Sequence, residues 1–379
     1  MDKKFTGTFL RRALSYILVA ALASAATWLA ADKLPNSKLE RLAFAIDHKF
    51  IGEADQTKIQ DAAAEAMIAA LGDRWSYYVS AEEYAAHRER QKNTYVGIGV
   101  TVQLDQEGKG IEVVSVIGDG PAEKAGVLAG DIFTHADGVS LADLTLSEGK
   151  ALIMGEKNTK VELTILRGEE VLDVTVTRKE IHSKTAEGQM LAGNIGYVRI
   201  DNFHGGAGEE TVAEIEKLLE QGAEKLIFDI RNNPGGYVHE TVYVLDYLLP
   251  EGPLFRSVNY NGVEDVDESD ADCLQLPMAV LMNGNSYSAA EFFAAALWEY
   301  DWAVTVGAPT CGKGYYQTTV ELGDGSAVQL STGAYTTPNG VNLTEAGGLK
   351  PDIPVDPAQT AVTLADDPQV LAAIQALTE

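Results

Sequence analysis

A serine and a lysine in the second half of this sequence have neighbours that would favour acyl-transfer chemistry. Ser288 follows an apolar run, Met278 to Met282, and an Asn/Gly turn, and it precedes a segment rich in Ala, Phe and Leu. This pattern predicts a buried strand, a turn and then a helix that begins beside the serine. The first amides of a helix lack intrahelical partners and carry partial positive charge, so they can bind an oxyanion. Ser288 is therefore a candidate nucleophile.

A structural interpretation of the same serine stays open. Ser288 and Glu291 have the Ser-x-x-Glu spacing of a capping box ahead of an apolar run. Taken alone, this spacing favours a helix cap over a catalytic residue.

The candidate base is Lys313, which lies between two glycines twenty-five residues after Ser288. Glycines let a segment approach its neighbours closely, and desolvation there would lower the lysine pKa from about 10.4 toward neutrality, as a general base requires. Gln317 lies four residues later in a run that we predict to be a strand. Equal parity would place both side chains on one face, where the amide could orient the amine. A solvated lysine in a glycine turn is the alternative.

This stretch resembles the carboxyl-terminal processing peptidases, also called tail-specific proteases. Their pattern is Ser-Ala-Ser-Ala-Ser-Glu, then Phe-Gly-Lys-Gly, then a Gln four residues past the lysine. The resemblance implies that Ser288 is the nucleophile, Lys313 the general base and Gln317 the third catalytic residue. The sequence departs from the pattern at three positions, none of which removes a reacting group: Tyr287, Ala290 and Cys311.

A second motif, Arg231-Asn-Asn-Pro-Gly-Gly236, lies at the end of a predicted strand. Consecutive glycines let the backbone come close to a ligand, although a turn without a ligand is the simpler interpretation. The same family has this run, and one of its glycine amides forms the oxyanion hole with the amide that follows the serine. The resemblance therefore implies Gly236, or else Gly235, together with Ala289.

Residues 95–180 read as short β runs with Gly and Asp between them, and they include Gly120-Pro-Ala-Glu-Lys-Ala-Gly126. This region resembles a PDZ domain. The resemblance places the peptide-binding loop at Gly97, Ile98, Gly99 and Val100, whose amides would bind a peptide carboxylate. Residues 147–153 would form the helix beside the groove. Glycines that only shape a turn are the alternative.

Four other regions complete the predicted organisation. Residues 36–94 are predicted to be helical, and their segment 71–84 is similar to one that precedes the PDZ domain in the family. Residues 181–356 alternate strands with helices and would form the protease core, with helices on a mainly parallel sheet. Residues 357–379 would form a last surface helix. The predicted fold is thus an α/β protease core with an inserted PDZ-like β domain and an N-terminal helical segment.

Residues 1–35 are predicted to be a signal or a membrane anchor. Four basic residues precede an uncharged run from Ala13 to Ala31, which approaches the length that crosses a bilayer. Ala23-Ser-Ala25 could instead be a cleavage site. We expect an uncleaved single-pass anchor with everything after Asp32 outside the cytoplasm; cleavage would give a secreted or periplasmic protein.

Composition limits the function classes. A chain of 379 residues with 46% hydrophobic residues can form several cores, and a net charge of −27 argues against nucleic acid as a partner. No metal or cofactor is expected, since no His-Glu-x-x-His or similar ligand set occurs. Cys273 and Cys311 are expected to be free thiols.

Together these features predict an exported serine endopeptidase that recognises proteins with free, apolar C-terminal tails through its PDZ domain. A catalytically inert, membrane-tethered PDZ adaptor is the alternative from another class. A Ser-His-Asp hydrolase is less compatible with the sequence, because Gly284-Asn-Ser-Tyr-Ser288 does not form a Gly-x-Ser-x-Gly elbow.

Overall fold

The computed structural model describes residues 37–356 and 363–379, and the chain divides into two compact units, Met1–Ala70 and Leu71–Glu379. The described part of the first unit contains two helices, α1 (Lys38–Lys49) and α2 (Gln56–Ala69). Ser37 and Glu40 form a capping box at the start of α1, and Asp55 caps α2.

The second unit begins with a segment that the sequence interpretation had joined to the helices before it. Strand β1 (Tyr77–Val79) precedes helix α3 (Ala81–Arg90), and β1 pairs with residues 327–329 of the core. Region 36–94 is therefore not one helical segment. Two tyrosines and a valine favour a strand, and a partner strand more than 240 residues away in the chain completes it.

Residues 94–182 form the PDZ-like domain, with two short helices, α4 (Pro121–Lys124) and α5 (Leu146–Ile153). Strands β3, β4, β5, β7 and β8 form its sheet in that order, β6 adds to β5, and β2 pairs with β9. All these pairings are antiparallel, and the strands are β2 (Thr94–Gly97), β3 (Val100–Leu104), β4 (Ile111–Val116), β5 (Ile132–Ala136), β6 (Val139–Ser140), β7 (Lys160–Arg167), β8 (Glu170–Thr177) and β9 (Lys179–His182).

The core that follows is built on a six-stranded sheet. Its strands, in spatial order, are β10 (Ala186–Leu191), β11 (Ile195–Ile200), β12 (Lys225–Asp229), β15 (Met278–Met282), β16 (Ala303–Gly307) and β19 (Ile353–Pro354). The β10–β11 pair is antiparallel and the others are parallel. The helices of the core are α6 (Ala207–Glu220), α7 (Val238–Leu248), α8 (Ala289–Glu299), α9 (Leu343–Ala346) and α10 (Pro368–Thr378).

Both faces of this sheet are buried, and alternate residues of its strands divide between two clusters. Phe228 and Val280 pack with α6, α7 and α8 on one face, whereas Ile227 and Leu281 pack with α10 on the other. The last helix, predicted at the surface, forms an outer layer with one face buried against this sheet. Its Val370 is fully buried, so α10 completes a three-layer core.

A second sheet of the core is antiparallel throughout. It contains β13 (Gly252–Asn259), β14 (Glu264–Ser269), β17 (Tyr315–Glu321) and β18 (Ala327–Thr336), together with β1. Short turns such as 322–326 connect neighbouring strands, and such hairpin connections require antiparallel pairing. The core therefore has mixed sheets, and a mainly parallel sheet is not confirmed for it as a whole.

The predicted anchor, residues 13–31, lies outside the described residues. Within 37–356 and 363–379, no helix has both the length and the apolar character needed to cross a bilayer.

Candidate active site

Ser288 lies in a strained turn between a buried strand and a buried helix. Strand β15 is buried along its whole length, and α8 begins directly after the serine. Ser288 has φ 59° and ψ −125°, a conformation that costs free energy in a residue with a side chain. Such strain persists only where the surrounding structure imposes it, and it is common at functional sites.

Hydrogen bonds to the 230–233 loop hold this turn in place. The hydroxyl of Ser286, which is fully buried, donates to the carbonyl of Ile230 at 2.8 Å, and the Tyr287 amide donates to the Asn233 carbonyl at 3.2 Å. Of the two serines that the turn carries, Ser286 therefore has a structural role.

The glycines of the 231–236 motif lie against the serine. A Cβ atom built on Gly235 would be 2.8 Å from the Ala289 nitrogen and 2.9 Å from the Ser288 Cβ. The Gly235 amide donates to the Asn233 side chain at 2.8 Å, so it is already used. The amides of Gly236 and Ala289 have no acceptor among the described residues. These two amides are therefore available for an oxyanion.

The Lys313 side chain lies among aromatic rings and is largely buried. Its Nζ is 4.9 Å from the centre of the Trp75 ring and 6.0 Å from that of Tyr287. Desolvation lowers the pKa of Lys313, while the charges of Glu291, Cys311 and Asp73 oppose the shift. The direction is the one that a general base needs.

Glu291 joins the serine segment to the lysine segment. Its carboxylate is fully buried, and Oε2 accepts hydrogen bonds from the amides of Ser288 at 3.0 Å and Lys313 at 2.9 Å. Oε1 accepts from the Thr310 hydroxyl and the Gly312 amide, both at 2.6 Å. The spacing had indicated only a helix cap. Its bonds to residues 310–313 depend on a tertiary contact that spacing does not reveal.

Tyr335 is a further residue at the site that the sequence interpretation missed. It lies on β18 with 3% of its surface exposed, and its hydroxyl donates to the Lys313 carbonyl. Burial raises the pKa of this tyrosine, the charge of Glu291 raises it further, and a side-chain hydrogen bond with Ser288 opposes the rise. The phenol therefore lies beside both candidate catalytic residues.

Gln317 makes two hydrogen bonds within the β17–β18 pair. Its Nε2 donates to the Tyr315 carbonyl at 3.1 Å and to the Ser331 hydroxyl at 3.2 Å. Strand β17 begins only at Tyr315, and its pairing with β18 shifts register between Tyr316 and Gln317. Lys313 precedes this strand, so equal parity along the strand does not by itself place the two side chains on one face, and the expected contact between them stays a prediction.

The segment that precedes β1 also reaches this site. Trp75 stacks on Tyr287 with ring centres 6.2 Å apart, and Arg74 donates to the Cys311 sulfur at 3.3 Å. The family-like stretch 71–84 was the only sequence signal for this contact, and it was assigned no chemistry. Cys311 and Cys273 are both free thiols and half-buried.

The predicted peptide-binding loop lies at the mouth of a groove in the PDZ-like domain. Strand β2 ends at Gly97, β3 begins at Val100, and Gly99 between them has φ 81°. These residues and Ile98 line a cavity of about 220 Å³ whose other wall includes residues 150, 153 and 154 at the end of α5. The four loop residues are thus together, with the predicted helix opposite them.

Comparisons with known proteins agree with this architecture. Residues 194–355 match the model of peptidase family S41, and residues 96–177 match that of the PDZ domain. A solved structure described as an S41 protease from Bacteroides fragilis NCTC 9343 shares the fold, with a TM-score of 0.55 and 17% identity over 87% of this chain and 92% of that one.

Two similar relatives are each named "Probable CtpA-like serine protease". The protein from Staphylococcus aureus strain MSSA476 is 30% identical over 86% of this chain, and that from Staphylococcus epidermidis strain ATCC 12228 is 31% identical over 84%. The aligned region spans 66% and 65% of their lengths, respectively. The resemblance inferred from the motifs is confirmed: residues 194–355 of this chain belong to peptidase family S41, and residues 96–177 form a PDZ domain.

Proposed function

We propose that this protein is a serine endopeptidase in which Lys313 is the general base for Ser288. The observation that carries the proposal is the shared carboxylate of Glu291, whose Oε2 accepts hydrogen bonds from the backbone amides of both residues. One buried group thereby fixes the two segments relative to each other. The lowered pKa of Lys313 and the strained backbone of Ser288 support the same assignment.

In the proposed reaction, neutral Lys313 removes the hydroxyl proton of Ser288 as the oxygen attacks the scissile carbonyl. The amides of Gly236 and Ala289 stabilise the oxyanion of the tetrahedral intermediate. Protonated Lys313 then gives its proton to the leaving amine, and the C–N bond breaks to leave an ester on Ser288. Water, deprotonated by Lys313, attacks this ester and releases the new carboxyl terminus and the serine hydroxyl.

Substrate selection is proposed to rest on the PDZ groove. The loop 97–100 would bind a terminal carboxylate, while the peptide adds as a strand beside β3. Ile98, Val102 and Ile153 are buried and line the groove, so an apolar terminal side chain fits it best. The proposed substrates are therefore proteins with free, apolar C-terminal tails.

A cleavage assay on an unfolded protein with an apolar C-terminus tests the proposal, with Ser288→Ala and Lys313→Ala beside the unmodified protein. Both variants are expected to lose turnover and to keep binding of the tail peptide. Turnover retained in either variant would exclude the Ser-Lys mechanism. Tail binding without turnover in the unmodified protein would favour the inert PDZ adaptor.

A further inference from the structure

Residues 71–84 are not used in the reaction proposed above, yet their first part lies against the candidate base. Two hydrogen bonds to the Asp73 carboxylate fold residues 73–76 into a compact turn: the Trp75 amide donates to Oδ1 at 3.1 Å, and the Ser76 hydroxyl donates to Oδ2 at 2.6 Å. These two hydrogen bonds fix the backbone of Trp75 and thereby help to position its ring.

Two contacts attach this turn to the core. The Ser331 amide on β18 donates to the Ser76 hydroxyl at 3.0 Å, and the Arg74 guanidinium donates to the Cys311 sulfur at 3.3 Å. Arg74 also stacks on the Trp75 ring, with its Cζ 4.1 Å from the ring centre. The ring thus contacts both the arginine and the segment that carries Lys313.

We propose that Trp75 is a positioning residue for the general base: its ring covers the Lys313 amine and keeps water away from it. The inference rests on the proposed Ser-Lys function and adds a residue to it. The indole has two opposing effects on the lysine. As a cation–π partner it stabilises the ammonium form, and as an apolar cover it destabilises that form.

Desolvation is the largest cause of the lowered pKa of Lys313, and the Trp75 ring, with its centre 4.9 Å from Nζ, is part of the cover over the amine. We expect this cover to outweigh the attraction. Among the described residues, four titratable groups interact with the amine: Asp73, Tyr287, Glu291 and Cys311. Two more lie on the surrounding segments, namely Arg74, which contacts Trp75 and Cys311, and Tyr335, which donates to the Lys313 carbonyl. Replacing Trp75 changes none of these residues but removes the ring on which Arg74 and Tyr287 stack, so a variant that keeps an aromatic ring is needed for comparison.

The test is the pH profile of kcat/KM for Trp75→Ala, Trp75→Leu and Trp75→Phe. On the acid side of the profile, the pH at which kcat/KM is half its maximum (the midpoint) reports the pKa of the base. Opening the site to water should raise this midpoint by about one pH unit in Trp75→Ala. The activity of this variant should therefore fall about tenfold near neutrality and recover at alkaline pH. Phenylalanine keeps both the apolar cover and the π face, so its midpoint should stay near that of the unmodified protein. Leucine keeps the cover without the π face, so its midpoint should not rise.

A second readout does not depend on turnover. In a Ser288→Ala background, the pH dependence of Lys313 acylation by an anhydride, followed by peptide mass spectrometry, reports the midpoint of the amine itself. This midpoint should rise in Trp75→Ala. An unchanged or lower midpoint of Trp75→Ala in both experiments would overturn the proposal. Loss of a tryptophan with a purely structural role would lower the maximal kcat/KM without moving the midpoint.

Trp298 offers a matched control, since it lies at the other end of α8, about 15 Å along the helix from Ser288, and its indole donates to Asp352. Trp298→Phe should leave the midpoint unchanged. If Trp75→Ala does not fold, Trp75→Gln brings polar atoms and water to the same place and should shift the midpoint in the same direction. Activity in Lys313→Ala would refute the dyad, whereas an inactive Lys313→Ala with an unshifted Trp75→Ala would refute the role of Trp75 alone.

Discussion

The carboxylate of Glu291 accepts a hydrogen bond from the backbone amide of Lys313 at 2.9 Å, although the two residues are 22 positions apart. The same oxygen accepts the amide of Ser288. A carboxylate buried in this way has all its partners in the two segments that carry the proposed dyad. It is therefore the contact through which a change at one segment reaches the other.

Glu291→Gln should cost both stability and activity. A glutamine side chain presents N–H groups where the carboxylate accepts hydrogen bonds, so at least one buried donor loses its partner, at about 1–3 kcal/mol. Urea unfolding and kcat measure the two losses. Glu148→Gln, which alters the exposed capping box of α5, is the matched control and should change little. Equal effects of the two substitutions would contradict the proposed connection.

The free energy of unfolding should depend on pH in part through the protonation of Lys313. The folded state lowers its pKa below the unfolded value, so the unfolded state binds more protons between the two values and stability rises with pH there. Below the folded-state pKa, Lys313 is protonated in both states, so burial of the ammonium destabilises the folded state by its full amount. Lys313→Met should therefore stabilise the fold near neutrality, by about 1.4 kcal/mol for each unit of the shift, and the difference should vanish above about pH 10.4.

Denaturant unfolding of Lys313→Met at pH 7 and pH 10.5 measures this difference. Lys350→Met, at an exposed lysine, serves as the control. A Lys313→Met protein that is less stable than the unmodified one at pH 7 would show that the ammonium is net stabilising in the fold.

Gly235→Ala should abolish activity because the methyl group has no space. It would lie 2.7 Å from the Tyr287 carbonyl oxygen as well as against Ser288 and Ala289. Gly126 has the same φ of 85° but nothing within 4 Å of its Cβ position, so Gly126→Ala carries only the backbone strain of about 1–2 kcal/mol. Thermal unfolding and kcat of both variants separate strain from steric conflict. Normal turnover in Gly235→Ala would show that the loop does not need to lie this close to the serine.

Gln317→Ala should lower kcat if the glutamine acts on the lysine during the reaction, as the family resemblance implies. Its bond to Ser331 in this structure competes with that role. Ser331→Ala, which frees the amide, should then leave kcat unchanged or raise it. The opposite result, with equal losses in the two variants and no further loss in the double variant, would assign Gln317 a structural role in the β17–β18 pair.

Amidation of the substrate tail should weaken recognition by the PDZ groove. An amide cannot form the charge-assisted bonds of a carboxylate to the 97–100 loop, so KM should rise about tenfold while kcat stays constant. The comparison uses one substrate sequence in two forms, with a free C-terminal carboxylate and with a C-terminal amide. A fall in kcat with constant KM would place the carboxylate at the reaction centre instead of the PDZ domain.

The sequence by itself determined the peptidase and PDZ regions and the candidate reacting groups. Ser288 and Lys313 are candidates because a turn before an apolar helix and a glycine-flanked lysine are patterns of consecutive residues, and the family resemblance favours a catalytic role for them over a structural one. The PDZ-like segment was found for the same reason, through the spacing of its glycines and short β runs.

The tertiary structure alone decided which residues surround those groups. Trp75 reaches the lysine from the turn before β1, Tyr335 reaches it from β18, and Glu291 accepts hydrogen bonds from residues 310–313. Gln317 is a related case, because the spacing to Lys313 did not reveal its hydrogen bond to Ser331 on the neighbouring strand. Periodicity describes which side of an element a residue occupies, whereas contacts between elements depend on their packing, bulges and register.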